Sequence, residues 1–158
     1  MLIRAPNRSE SAWVEQQLRE LWGSTTVVSR GRIHDASRLA ALVAAQADEL
    51  VGLTTFAIAN EECELVTLNA LRQHAGVGSA LLSRVAEQVA ERGCRRLWLI
   101  TTNDNINAIR FYQRRGMRLV ALHSGAVDEA RQLKPSIPMI GKYGIPIHDE
   151  LEFELRLS

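Results

Sequence analysis

Apolar residues recur at the spacing of an amphipathic helix, about 3.6 residues per turn, in two parts of the chain. In the first part they are Val14, Leu18, Leu21 and Trp22. Ser9 or Ser11 would cap this helix, and Gly23 would end it. In the second part they are Val77, Leu81, Leu82, Val85 and Val89. This second pattern predicts a longer helix from about Gly76 to Arg92.

Apolar runs that are continuous or alternate with polar residues predict the strands. Leu50 to Ile58 and Glu62 to Ala70 are two β-prone runs joined by a short polar turn, which predicts an antiparallel hairpin. Arg95 to Thr102 is apolar on both faces and therefore predicts a central strand. Met117 to His123 and Leu151 to Leu157 predict two further strands near the carboxyl end.

Two segments are harder to assign from spacing. Arg38 to Gln46 is rich in alanine and, taken by itself, has the composition of a helix. The stretch 134–146 contains too much proline and glycine for regular structure, so we expect a long loop that is either ordered or mobile.

A pair of glycines, Gly76 and Gly78, lies where a loop enters the second helix. Unpaired backbone N–H groups and the positive end of the helix dipole make such a place an anion site that a pyrophosphate would fit. A dinucleotide-binding fingerprint would need a third glycine in place of Leu81, and a P-loop would need a lysine after its last glycine. An ordinary tight turn would also explain the two glycines.

A second motif runs from Asn105 to Met117 and reads Asn-Ile-Asn-Ala-Ile-Arg-Phe-Tyr-Gln-Arg-Arg-Gly-Met. Asp104 or Asn105 would cap a short helix, and Gly116 would stop it in the left-handed conformation. By itself, the Phe-Tyr pair in this helix is typical of a hydrophobic core.

Together the two motifs resemble the signatures of the GNAT family of N-acetyltransferases. The matching residues are Gln73-x-x-Gly76-x-Gly78 followed by Ser79, and Asn105-x-x-Ala108-x-x-Phe111-Tyr112-x-x-x-Gly116, in the family's order. The chain departs from the family pattern in having no proline before the glycine loop and Met117 in place of an aromatic residue. The resemblance implies one α/β (α+β) domain over residues 1–158. Its mixed, mostly antiparallel twisted sheet would have about seven strands flanked by helices and would be splayed between its fourth and fifth strands. It also favours a strand for Arg38 to Gln46.

The resemblance implies acetyl-CoA as cosubstrate and no metal cofactor. Its binding residues would be Leu68, Ala70, Leu71, Gln73, His74, Ala75, Gly76, Val77, Gly78, Ser79, Asn105, Ala108 and Tyr112. In the family a backbone N–H polarises the thioester carbonyl where the fourth strand bulges, here somewhere in Leu68 to Leu71. Tyr112 would donate a proton or a hydrogen bond to the leaving thiolate.

The acceptor side of the predicted site needs a base, because an amine with a pKa of about 10.4 is mostly protonated at neutral pH. Glu64 is the first candidate, on the expectation that it shares a strand face with Val66 and Leu68. Asp149 and Glu150, which follow the proline-rich loop, are candidates for holding a cationic acceptor. Solvated surface acids are the alternative interpretation of all three.

Composition narrows the class of protein. With 158 residues and 46% hydrophobic content, the chain is long enough for one well-buried domain. A net charge of +1 with scattered basic residues disfavours nucleic acid as a partner. The chain has no apolar run of about 18 residues and no secretion signal, so we expect no membrane partner and a cytoplasmic protein. Cys63 and Cys94 lack metal-ligand spacing.

The sequence therefore predicts transfer of an acetyl group from acetyl-CoA to a primary amine of a small molecule by direct attack. Two alternatives stay open: a transferase that acts on protein or peptide amines, and a noncatalytic module that binds acetyl-CoA. A homodimer is a further expectation.

Overall fold

The computed structural model describes residues 1–71 and 76–157. Within them, nine strands and four α-helices follow one another along the chain. They are β1 (Leu2–Arg4), α1 (Ser11–Trp22), β2 (Thr26–Ser29), β3 (Arg32–Asp35), β4 (Ala40–Gln46), β5 (Glu49–Ala59), β6 (Glu62–Ala70), α2 (Val77–Glu91), β7 (Arg96–Thr102), α3 (Ile106–Arg114), β8 (Arg118–His123), α4 (Ala126–Leu133) and β9 (Glu150–Arg156). None of the helices in this part of the chain is long and apolar enough to cross a membrane.

Seven strands form one sheet in the order β1-β4-β5-β6-β7-β9-β8, and β2 pairs with β3 as a separate hairpin. All neighbours in the large sheet are antiparallel except β6 and β7, which are parallel. This confirms the predicted mixed, mostly antiparallel sheet. The alanine-rich segment is the strand β4, because it pairs along its whole length with the apolar strand β5.

Short turns connect the hairpins that precede the parallel pair. The turn residues Ala47 and Asp48 between β4 and β5 have φ angles of 47° and 63°. Asn60 and Glu61 between β5 and β6 have φ angles of 53° and 63°. Two successive residues with positive φ match the right-handed twist of the flanking strands, so these tight turns hold both hairpins in register.

The large sheet opens between β6 and β7. The two strands pair only from Glu62 to Glu64 on β6, opposite Arg96 to Trp98 on β7. Beyond that point β6 continues to Ala70 and β7 to Thr102 as separate strands. The predicted splay between the fourth and fifth strands of this fold is therefore present, and it leaves a cleft with backbone on both sides.

A β-bulge in β6 corrects two expectations from the sequence. Thr67 pairs with Thr55 and Leu65 with Phe56, so Val66 is the extra residue. The bulge is thus earlier than the expected segment, Leu68 to Leu71. Because an extra residue reverses the alternation of side chains, Val66 packs in the core on the α1 side and Leu68 in the core on the other side. The expectation that Leu68 shares the face of Val66 and Glu64 is therefore wrong.

Two hydrophobic cores cover the two faces of the sheet. The larger core packs α2, with Val77, Leu81 and Val85 almost fully buried, and includes Tyr112 of α3. The smaller core packs Val14 and Leu18 of α1 against the opposite face. The amphipathic patterns that predicted these helices therefore correspond to the two faces on which the sheet is buried.

Hydrophobic spacing did not reveal β1, the β2–β3 hairpin or α4. The three strands are only three or four residues long, too short for an alternating pattern to be distinctive. Helix α4 does carry helix signals that were not used, with Asp128 and Glu129 in its first turn and Arg131 in its last.

The proline-rich segment after α4 is an ordered loop, which decides between the two expectations for it. Arg131 donates hydrogen bonds to the carbonyl oxygens of Ile137 at 3.2 Å, Pro138 at 2.7 Å and Ile147 at 2.7 Å. Asp104 accepts a bond from the backbone N–H of Lys142 at 2.9 Å. Side chains from the folded elements thus bind backbone groups that no strand or helix satisfies.

A test of the sheet-to-helix packing is to replace Gly52, the β5 residue under α2. A Cβ atom there would lie 2.5 Å from Val77 Cγ1 and 2.9 Å from Leu81 Cδ1. Valine has few rotamers available in a helix, so the backbone must shift. We expect Gly52→Ala to lower the free energy of unfolding by about 1–3 kcal/mol in urea titration.

The control is Ala59→Val, which adds bulk at the exposed end of the same strand and should change stability by less than about 0.5 kcal/mol. Equal stability of Gly52→Ala and wild type would contradict this close approach of α2.

Candidate active site

Two adjoining cavities occupy the opening between β6 and β7. The larger, of about 680 Å³, is bordered by β6, β7, α3 and the start of α2. The smaller, of about 480 Å³, is bordered by the end of α1, the strand β2, α4 and the proline-rich loop. Trp22, Val66, Thr101 and Asn105 border both cavities. The two spaces therefore meet at the point where the strands separate.

The larger cavity collects many of the residues that the resemblance assigned to acetyl-CoA. Those that border it are Leu68, Ala70, Gly78, Asn105, Ala108 and Tyr112. Three others lie near it without bordering it: Gly76 is the N-cap of α2, Val77 is buried in the core, and Leu71 donates its backbone N–H to the Val51 carbonyl at 2.8 Å. The predicted residues Gln73, His74 and Ala75 lie outside the described residues.

The first turn of α2 borders the larger cavity at Gly78. A Cβ atom at this position would lie 3.1 Å from Cζ of Phe111, tighter than ordinary contact. Gly76, just before the helix, has a φ of 74°, which glycine adopts without strain. The 15 residues of α2 place a full helix dipole behind this end. Because the two glycines have no side chains, the backbone at the start of α2 can come close to the cavity.

A cation that the sequence analysis missed stands beside the start of α2. Arg115 donates from Nε to Ser79 Oγ at 2.5 Å, and its guanidinium lies 3.9 Å above the centre of the Phe111 ring. The predicted residue Ser79 therefore has a cationic partner from the end of α3. The signal in the sequence was the basic pair Arg114-Arg115 inside the second motif.

Tyr112 borders the larger cavity from α3. Its ring packs edge-on against Phe111, with ring centres 5.2 Å apart, and lies 6.3 Å from the ring centre of Phe153. Burial raises the pKa of the Tyr112 hydroxyl above its ordinary value, because the phenolate would lose its hydration. The hydroxyl therefore keeps its proton at neutral pH and can donate a hydrogen bond.

Glu64 is a buried carboxylate at the edge of the smaller cavity. Its Oε2 accepts a hydrogen bond from Ser29 Oγ at 2.6 Å, and its Oε1 lies 3.2 Å from Nε2 of His34. Both partners belong to the β2–β3 hairpin. Sequence patterns missed them because each is at least 30 positions away from Glu64.

The two acids after the proline-rich loop have different surroundings. Glu150 is buried, borders the smaller cavity and accepts from the backbone N–H of Arg30 at 3.2 Å. Burial raises the pKa of this carboxyl above its usual range, although Arg30 partly opposes the shift. Asp149 instead accepts from the backbone N–H of Gly125 at 2.9 Å, just before α4.

Three polar contacts complete the borders of the cavities. Asn105 donates to Thr101 Oγ1 at 3.1 Å and accepts from Lys142 Nζ at 3.1 Å. Of the two residues expected to cap α3, Asn105 holds the N-cap position and Asp104 does not. Trp22 Nε1 donates to Asn69 at 3.1 Å, which ties the end of α1 to β6.

Nowhere in residues 1–71 and 76–157 do three or more histidine, cysteine, aspartate or glutamate side chains form a group suited to a metal ion.

Comparison with known proteins gives the same architecture. Residues 8–117 match the model of the acetyltransferase (GNAT) family. The chain is 39% identical over 133 residues to the uncharacterized protein YdhI of Bacillus subtilis, covering 84% of this chain and 83% of that protein. It is 40% identical over 131 residues to the uncharacterized protein YxbD of the same organism, covering 82% of each.

Solved structures share the whole fold at lower identity. The IAA acetyltransferase of Bacillus cereus superposes with a TM-score of 0.77 at 19% identity, covering 99% of both chains. An acetyltransferase of Bacillus subtilis in complex with CoA superposes with a TM-score of 0.70 at 19% identity, covering 99% of this chain and 98% of that one. With the family model covering most of its length and the splayed sheet present, this chain belongs to the GNAT acetyltransferase family.

Proposed function

We propose that this protein is an N-acetyltransferase that moves the acetyl group of acetyl-CoA to a primary amine of a small molecule by direct attack. The observation that carries the proposal is the meeting of the two cavities in the β6–β7 cleft. Glu64 stands on the border of one cavity and Tyr112 on the border of the other. A base and an acid thus flank the place where an acceptor and a thioester would meet.

The residues around the larger cavity fit the cosubstrate. The amides at the start of α2 and the guanidinium of Arg115 would hold the pyrophosphate, and the separated strands leave room for an extended pantetheine chain. Backbone N–H groups of β6 around the Val66 bulge could polarise the carbonyl, since the bulge exposes them to the cleft. Acetyl-CoA supplies the acetyl group as an activated thioester.

Two side chains would transfer the protons of this reaction. Glu64 would take a proton from the bound ammonium, because the ammonium nitrogen has no lone pair with which to attack. The nitrogen would lose its second proton to solvent as its bond to the acetyl carbon forms. Tyr112 would give its proton to the sulfur as the carbon–sulfur bond breaks. Ser29 and His34 hold the Glu64 carboxylate in place.

The smaller cavity supports a small acceptor. Most of its border is apolar and comes from α1, β2, α4 and the proline-rich loop, and its volume of about 480 Å³ is that of a small-molecule site. Of the two acids suggested for holding the acceptor, we propose Glu150 for direct contact. Asp149 would act indirectly by fixing the start of α4 through Gly125.

The direct test is to offer polyamines, amino acids, aminoglycosides and peptides with acetyl-CoA and to measure thiol release. Turnover with small amines supports the proposal, and turnover confined to peptides would assign the chain to protein acetylation. Tight CoA binding without turnover on any amine would instead favour a noncatalytic binding module.

Gly78→Val tests the cosubstrate side. A branched side chain would collide with Phe111 and enter the larger cavity. We expect the calorimetric affinity for CoA to fall about tenfold or more, because the backbone at the start of α2 could no longer come close to the pyrophosphate. Ala90→Val, at an exposed position near the other end of α2, controls for a valine in this helix. If a folded Gly78→Val protein bound CoA with wild-type affinity, the start of α2 would be excluded as the pyrophosphate site.

Tyr112→Phe tests the proton donor. We expect turnover to fall about ten- to a thousandfold, with CoA affinity within a few-fold of wild type, because only the hydroxyl is removed. The matched control is Tyr143→Phe, at the other tyrosine of the chain, whose side chain is exposed and bonds Asn107. A lower melting temperature with normal turnover would assign Tyr112 to packing alone.

Glu64→Gln tests the base through its pH dependence. We expect turnover to fall about a hundredfold near neutral pH. The loss should be largest at low pH and shrink towards the amine's own pKa of about 10, where free amine is abundant and needs no base. Glu62→Gln, on the same strand but paired with Arg96, is the control. A Glu64→Gln enzyme with the wild-type pH profile would refute this role.

A further inference from the structure

We propose that the acceptor is amphoteric: a compact apolar molecule with the primary amine at one end and an anionic group, such as a carboxylate, at the other. This inference rests on the proposed function, because it names the acceptor class of the same site. It follows from two charges on the border of the smaller cavity to which the described protein gives no permanently charged partner.

The first charge is the carboxylate of Glu64. Its partners are the neutral hydroxyl of Ser29 and the ring of His34, which is charged only when protonated. The other acid at the cavity, Glu150, differs because Arg30 contacts it with both its backbone N–H and its guanidinium. Glu64 is therefore the acid that most needs a cation from the occupant of the cavity.

The second charge is the ammonium of Lys134, at the end of α4. Its Nζ donates to the carbonyl oxygens of Thr26 at 2.6 Å and Trp22 at 3.2 Å. These bonds use two of its three N–H donors. Within the described chain no carboxylate forms an ion pair with it, and partial burial lowers its pKa. Since Lys134 borders the smaller cavity, its remaining donor is available to an anion there.

Strand β2 sets the distance between the two charges. Lys134 bonds the carbonyl of Thr26 at the start of β2, and Glu64 bonds the side chain of Ser29 at its end. Three residues of extended strand span about 10 Å, which separates the two groups that hold these charges. The cavity border between them is apolar, formed by Val27 and Val28.

Unpaired charges at the edge of an apolar cavity are costly, and a ligand that supplies both counter-charges relieves both costs. A simple amine would satisfy Glu64 and leave Lys134 without an anion. A polyamine would bring a second cation towards Lys134 and be repelled. An amino-carboxylate with an apolar body matches both ends and the surface between them.

The experiment compares acceptors that differ by one carboxylate, with acetyl-CoA saturating and thiol release as the readout. One pair is 4-(aminomethyl)benzoate and benzylamine, a second is 5-aminopentanoate and pentylamine, and spermidine is the polycation. In at least one pair we expect kcat/KM to be about ten- to a hundredfold higher for the carboxylated member, the effect of one charge-assisted hydrogen bond.

The variant that tests the assignment is Lys134→Met, which should bring that ratio close to one. Lys134→Arg keeps the charge and should preserve a preference. Lys142→Met removes the other lysine of the chain, at the border of the larger cavity, and should leave the ratio unchanged. Lys134→Gln, which can still donate to the two carbonyls, replaces Lys134→Met if the latter has a lowered melting temperature.

Three outcomes would overturn the inference while leaving acetyl transfer intact: a preference for the uncharged-tail amine in both pairs, a preference for spermidine, or a ratio that Lys134→Met does not change. A protein that binds CoA in calorimetry and acetylates none of the carboxylated probes also contradicts it. Absence of both CoA binding and thiol release would instead refute the proposed function, and the inference with it.

Discussion

The early end of the hydrogen bonding between β6 and β7 is the constraint on which the rest of this structure depends. The strands pair over three residues and then separate, so the centre of the sheet contains a cleft. The extra residue at Val66 bends β6 at the start of this opening and reverses its side-chain alternation. Both cavities, with Glu64 and Tyr112 on their borders, take their positions from this separation.

The two faces of the sheet are covered by different elements. On one face, α2 and α3 pack a continuous core that brings Gly78 and Tyr112 to the larger cavity. On the other, α1 covers one part of the sheet, and shorter elements surround the smaller cavity. In these elements, Ser29 and His34 contact Glu64 of the sheet, and Lys134 bonds the carbonyl at the end of α1.

Much of this arrangement could be predicted from the sequence, for physical reasons that differ between its parts. Helix α2 has a regular apolar stripe closed by glycine, and β7 is a continuous apolar run, so local spacing was sufficient for both. The glycine motif and the motif around Tyr112 together were sufficient to imply the fold and the cosubstrate. The strands β1, β2 and β3 could not be predicted in this way, because three or four residues are too few for a distinctive pattern, and α4 spans only about two turns.

The residues of the candidate site also differ in how far the sequence could predict them. Glu64 was a candidate because it was expected to share a strand face with Val66 and Leu68, but its partners Ser29 and His34 are brought to it only by folding. Lys134 and Arg115 are ordinary basic residues in the sequence and gain their meaning from the carbonyls, hydroxyl and ring that they contact. The bulge at Val66 is a property of strand pairing that side-chain patterns do not report. It made the expected face of Leu68 wrong.

The border of the smaller cavity has a consequence for how this protein can change. Its parts are a hairpin outside the main sheet, a helix of eight residues and a loop fixed largely by one arginine. These parts contribute no strand to the seven-stranded sheet and no residue to the core that packs α2. In the proposed function these parts select the acceptor, so the acceptor side of the site can diversify while the sheet and α2, which would bind the thioester, stay the same.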